Sequence, residues 1–219
     1  MALAVCPVAY SAGWVQEDGS AYARLSAVYE DHNGFSALRE DVYLEYGVTS
    51  DWTLSGKIER VDFDTSTVFD STGYRLAARR RLWTSEQWSF VGEMGLLEGA
   101  AIGGLRGCDS LGAEMNAGLG RSGAMMSGSY YTALTLVGRL HQDDCSMNRV
   151  EAVFGYVGEE GAVTTFQYWG QDGDAGRSEK IEIMYTQMYG SLEVGTGTRT
   201  EISGEFDETA FVVSIIFRR

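Results

Sequence analysis

Ten ionisable side chains recur at every second position of their segments: Arg24, Glu45, Lys57, Glu59, Arg75, Arg79, Glu93, Glu114, Arg139 and Glu151. Lys180, Glu182 and Glu193 extend the set toward the C-terminus. Gathered on one surface, such groups can form a network of ion pairs or line a wet path that selects charged solutes. Conventional catalysis has less to work with. His32 follows Asp31, and His141 precedes Asp143 and Asp144, which are the ingredients of a histidine-dependent hydrolase. Both histidines fall at the bases of expected loops, where exposed polar residues are ordinary, so no catalytic residue is assigned. Asp143–Asp144 and Glu159–Glu160 offer oxygen ligands for a divalent cation, but acidic loops are usually just solvated. No metal site and no cofactor are expected. Cys108 and Cys145 fall in consecutive long loops, so a bridge between them would tie two loops at one mouth in an oxidising compartment. Two free thiols are the alternative.

The elements that must position these residues show a period of two. Ala21, Ala23, Leu25, Ala27 and Tyr29 alternate with Tyr22, Arg24, Ser26, Val28 and Glu30. Leu54, Gly56 and Ile58 alternate with Ser55, Lys57 and Glu59, and Val150, Ala152, Phe154 and Tyr156 with Glu151, Val153 and Gly155. Successive strand residues point to opposite faces, so each segment has an apolar face and a polar or small one. Other stretches, near Tyr74–Trp83, Ala162–Trp169, Ser178–Met188, Leu192–Thr198 and Thr209–Phe217, read as strands with weaker alternation. The pattern predicts an all-β chain: a closed antiparallel up-and-down transmembrane β-barrel of about 12 strands. The expected domains are a truncated signal peptide at 1–12 and an outer-membrane barrel at 13–219.

Connections alternate between tight and long. The short ones are Tyr46–Trp52, Thr84–Gln87, Gly158–Gly161 and Tyr189–Ser191; the long ones include Asp31–Leu38, Asp64–Gly73, Glu98–Ser110 and Arg199–Glu208. Gly120–Ser127 breaks the rule as an overlong turn. Short periplasmic turns and longer outer loops are the asymmetry of an outer-membrane barrel. Trp52, Trp83, Trp88, Tyr130 and Tyr189 cluster near strand ends on the short-turn side, where an interfacial girdle belongs.

Composition narrows the classes. In 219 residues there are 28 glycines and one proline, which with 12% aromatics suits neither collagen nor disorder. A mean hydropathy of −0.15 and no apolar run of about 18 residues fit no helical membrane protein, but alternation hides the apolar content of a barrel. A net charge of −14 excludes the cationic footprint of a nucleic-acid binder. The opening MALAVCPVAYSA is apolar and ends in small residues like the back half of a secretory leader, without its basic start.

The stretch Glu45-Tyr46-Gly47-Val48-Thr49-Ser50-Asp51-Trp52-Thr53-Leu54 resembles a phrase of transporter-like outer-membrane barrels of proteobacteria: a Tyr-Gly strand end, a short Thr/Asp turn, then Thr-Leu. Phe211, Val213, Ile215 and Phe217 resemble the C-terminal assembly signal of such barrels, except that Arg218 and Arg219 follow the terminal aromatic. The resemblance implies an outer-membrane location, outer-membrane lipid as surroundings and contact with the barrel-assembly machinery through the last strand. It supplies no catalytic or ligand residues. The expected function is a passive channel or transporter component for a small solute. A non-conducting barrel with a salt-bridged interior, serving structure or surface interaction, is the first alternative. A soluble secreted β-sandwich or barrel that binds a partner is the second.

Overall fold

A computed structural model describes residues 13–99, 109–158, 161–174 and 176–219. The expected leader at 1–12 lies outside the described residues, as do Cys108, Glu159 and Glu160. Twelve strands follow one another: β1 (Ala21–His32), β2 (Phe35–Thr49), β3 (Trp52–Phe63), β4 (Ser71–Thr84), β5 (Trp88–Glu98), β6 (Gly112–Met125), β7 (Gly128–His141), β8 (Ser146–Val157), β9 (Ala162–Gly173), β10 (Ser178–Tyr189), β11 (Leu192–Gly204) and β12 (Glu208–Arg218). A 3-10 turn, Thr67–Phe69, lies between β3 and β4. Each strand pairs antiparallel with its sequence neighbours, and β12 pairs with β1, so the sheet closes with no free edge. Closure satisfies every ladder internally, which is the condition for a sheet to cross lipid.

Burial is inverted relative to a water-soluble protein. Leu76, Met94 and Met115 on the outer face are 67%, 65% and 64% exposed, while Glu30, Glu193 and Glu208 inside are at most 1% exposed. An apolar exterior around a charged interior is stable only where lipid surrounds the sheet. Each Arg or Lys turned to mid-bilayer would cost about 2–4 kcal/mol, and a one-residue slip would turn every interior charge outward. That inversion excludes the soluble sandwich.

Three expected connections differ in the structure, one of them Arg199–Glu208, where β11 runs to Gly204 and β12 starts at Glu208. Asp31–Leu38 is not a long loop: β1 and β2 join through Asn33-Gly34, both at positive φ (55° and 91°). Asn-Gly in a two-residue type I′ turn matches the twist of the flanking strands, so both strands run up to the turn itself. Gly120–Ser127 is not an overlong turn either, because β6 runs to Met125 and β7 starts at Gly128. The termini therefore share one end with the tight turns, and the longer connections lie at the other.

The girdle residues lie on the outer surface at the turn end. Arg80 lies over the Trp52 ring at 5.4 Å and Arg121 over Trp88 at 5.1 Å, the arrangement by which a cation reaches the interface from an apolar wall. Arg218 continues the alternation past Phe217: it turns inward, pairs with Glu193 and covers the Tyr22 ring. Arg219 closes the β1 ladder through two backbone bonds with Ala21. The arginines after the terminal aromatic thus complete the barrel seam.

Candidate functional site

All ten charged residues singled out above line one interior cavity of about 320 Å³. The strand pleat brings them there, since each sits on the inward parity of its strand. Their pairing follows two alternating chains of charge.

The first crosses the middle of the barrel. Arg139 on β7 pairs with Glu114 on β6, which pairs with Arg75 on β4 at 2.6 Å. Arg75 also pairs with Glu93 on β5, and Glu93 accepts from Arg79 Nε at 2.8 Å. Arg79 then reaches Glu45 on β2 at 2.9 Å. Asn116 Nδ2 donates to Glu93 at 2.7 Å and to Glu114 at 3.0 Å, bridging two carboxylates that would otherwise repel. The second chain lies toward the loop end. Lys180 pairs with Glu208; Arg199 joins Glu208 (2.6 Å) to Glu30 (2.5 Å); Arg39 joins Glu30 (2.6 Å) to Glu59; and Lys57 holds Glu59 from the other side. Arg149 and Glu151 pair with each other at 2.6 Å.

Arg24 pairs with Asp41 at 3.0 Å, not with Glu45. In the β1–β2 register Arg24 sits opposite Tyr43, diagonal to both acids, and Glu45 is taken by Arg79 and the Gln16 amide. Alternation gives the face of a residue, and the choice between diagonal partners depends on what else reaches them. Glu30, Arg39, Asp41, Arg149, Arg199 and Glu208 complete the networks without having been singled out. The Asn33-Gly34 turn was the available signal for Glu30, Arg39 and Asp41, because it extends the period-two run of β1 and β2 to the turn itself. Arg199 and Glu208 fell at the ends of a connection read as loop, yet β11 and β12 run through them.

β9 contributes Gln167, Trp169 and Gln171 to the lining and no charge. The cavity therefore has an amide and aromatic wall facing charged ones, in the size range of small-molecule sites.

The histidines end β1 and β7, at the loop bases as expected, but both are buried, because each falls on the inward parity of its strand. His32 Nε2 meets Glu30 at 3.1 Å, and His141 Nδ1 donates to the Ser110 carbonyl at 2.8 Å. Glu30, His32 and Glu208 have ligand atoms within 4.8 Å of one another. Arg39, Arg199 and Lys180 already neutralise those carboxylates, so a metal ion would have to displace them. Asp143 instead accepts from the Cys145 backbone N–H, and its own N–H donates to the Ser110 hydroxyl. Cys145 is disulfide-bonded.

No family model matches the chain, and no curated protein matches it. Solved structures do. An outer-membrane channel from Pseudomonas putida F1 is similar over 97% of this chain and 100% of that one, with a TM-score of 0.65 and 8% identity. The KdgM porin, solved also in complex with disordered oligogalacturonate, is similar over 89% of this chain and 98% of that one (TM-score 0.64, 8% identity). The NanC porin is similar over the same shares (TM-score 0.61, 9% identity). At such identities the likeness shows the fold. With the apolar belt it describes an outer-membrane β-barrel, and the outer membrane is where this chain belongs.

Proposed function

We propose that this barrel is a passive channel for a small polar solute, with the charged interior as its selectivity region. The supporting observation is the cavity of about 320 Å³ lined by both signs of charge along the barrel interior. Fixed charges of both signs let a solute exchange hydration for wall contacts, and near-balance keeps the wall from trapping one ion. Arg24, Lys57, Glu151 and Arg149 retain the most exposure among the ion-paired groups that line the cavity and are the natural contacts for a passing solute. The porin-fold neighbours add plausibility to transport and say nothing about which solute this chain takes.

The chain is expected to reach its membrane through the barrel-assembly machinery, reading the outward row Phe211, Val213, Ile215 and Phe217 of β12. The Cys145 disulfide is assigned to Cys108, so that two outer loops are tied at the mouth.

A second reading, a non-conducting barrel with a structural or surface role, is favoured by the closeness of the two ion-pair chains. Reconstitution in planar bilayers separates them. A channel gives discrete conductance whose cation-to-anion permeability ratio shifts toward cations in Lys57→Gln, and toward anions in Glu151→Gln. A folded barrel that is silent in the wild type and in every variant overturns the channel reading.

A further inference from the structure

The segment that precedes β1 enters the barrel. Residues 13–18 do not hang from the barrel end. They run into the turn-side mouth and cross it, from the β1–β2 side to the β6–β7 side.

Contacts on both walls fix this path. On the near wall, Gly19 N donates to Gly47 O at 2.9 Å and Gly47 N donates to Ser20 O at 3.0 Å. Gln16 N donates to Thr53 Oγ1 at 2.7 Å, and Gln16 Nε2 donates to Glu45 Oε2 at 2.5 Å. At the centre, Arg79 donates to the Trp14 carbonyl at 2.9 Å. On the far wall, Trp14 meets Tyr131 edge-on at 6.3 Å and packs against the inward apolar cluster of Tyr131, Ala133, Val153 and Val163. An apolar patch inside a polar lumen has no use for water, but it suits a tryptophan that arrives from the chain itself.

The wall is shaped for the segment. A Cβ on Gly47 would stand 1.9 Å from the Glu17 carbonyl oxygen, and one on Gly120 would stand 2.6 Å from the Trp14 ring. Only glycine leaves room at these two strand positions. The chain path agrees: Glu17–Ser20 turns against β2, with Ser20 N donating to Glu17 O at 3.0 Å, and Gln16 to Gly13 carry the chain across the lumen from Thr53 on β3 to Ala133 on β7.

We propose that residues 13–18 are a built-in plug that closes the turn-side mouth, seated by Trp14 in the β6–β9 apolar patch and by Gln16 on β2 and β3, and that releasing it opens the barrel. The plug rests on the channel reading above.

A cross-link and a release variant test it together. Gly13 and Ala133 are placed for a disulfide, since a Cβ built on Gly13 lies 3.1 Å from Ala133 Cβ, a few tenths of an ångström short of the usual separation. The first expected result is that Gly13→Cys/Ala133→Cys forms an intramolecular bridge in native outer membranes, seen as a reductant-sensitive gel shift absent from either single variant. Failure to bridge in a barrel that remains heat-modifiable overturns the seat. The second is that Trp14→Ala/Gln16→Ala raises bilayer conductance several-fold, and that adding the bridge to this background returns it to the wild-type level until reductant is added. Trp14→Ala/Gln16→Ala without the bridge controls for reduction of the native disulfide. Conductance that is the same with and without Trp14 and Gln16 overturns the plug and leaves the channel standing. A barrel silent in every state overturns the channel reading, and the plug with it.

Discussion

Replacing Arg79 by Gln removes the cation at the hub of the central network. Its guanidinium holds Glu45 at 2.9 Å and Glu93 at 2.8 Å and donates to the Trp14 carbonyl. All three side chains are buried, at 3–4% exposure, so water cannot take over the role of the lost cation. Breaking a buried pair from one side costs about 3–5 kcal/mol because a charge is left uncompensated. Glu93 keeps Arg75 and Asn116, and Glu45 keeps Gln16 and Tyr43. These remaining partners place the expected cost near the lower end, about 3 kcal/mol, or roughly two orders of magnitude in the folding equilibrium. Glu93→Gln should cost less, since Arg79 keeps Glu45. The double variant should cost less than the sum of the singles, because the groups share a network. Reversible urea unfolding in lipid vesicles, followed by tryptophan fluorescence and by the folded band on unheated gels, reads all three. A cost below about 1 kcal/mol for Arg79→Gln, the value of a solvated surface pair, would refute the tight interior network. The interior would then be wet at this level.

Other consequences follow from the outer face, the packed glycines, the loops and the cysteines. Ile183→Arg, at the middle of β10 on the lipid side, should destabilise by about 2–4 kcal/mol, against about 0–1 kcal/mol for Leu192→Arg at the turn end, by the same unfolding assay; equal costs would deny the belt. Gly155→Ala places a Cβ 2.0 Å from the Tyr131 ring and should cost about 1–3 kcal/mol by overpacking, while Gly56→Ala, whose nearest atom is 3.9 Å away, should stay within about 0.5 kcal/mol. Asp174, in the β9–β10 connection, accepts from the Ser146 backbone N–H and hydroxyl (2.8 and 2.9 Å), which hold its carboxyl below the ordinary 3.8. A carboxyl depressed in the folded state stabilises above its unfolded value and loses that contribution as pH falls through its folded value; an NMR titration should find its midpoint below 3.8, rising in Ser146→Ala. Peptide mapping without reductant should join Cys145 to Cys108; a bridge to Cys6 would remove the loop tie.

Sequence by itself determined the sheet, its closure and the parity of its charges. Period two is a local property of the chain, and the free-energy cost of charge in lipid leaves one choice of which face is inside. Arg24, Glu93 and Glu114 could therefore be placed on the interior from their neighbours alone. The ends of the strands were legible only in part. The Asn33-Gly34 turn was written in two residues, but the polar residues around it, Asp31, His32 and Ser36, read as loop, because ladder hydrogen bonds to a paired strand hold such residues in a sheet without any local sign. Glu30, Arg39, Arg199 and Glu208 went unassigned for that reason, and the histidines looked exposed. The tertiary structure alone decided the pairing. Whether Arg24 meets Asp41 or Glu45 depends on register and on competition from Arg79, which arrives from β4. It alone also placed Trp14 against Tyr131, across the width of the barrel. No local pattern marks a segment that crosses a lumen, because its partners come from walls far away in the chain (Gln16 to Glu45 spans 29 and Gln16 to Thr53 spans 37).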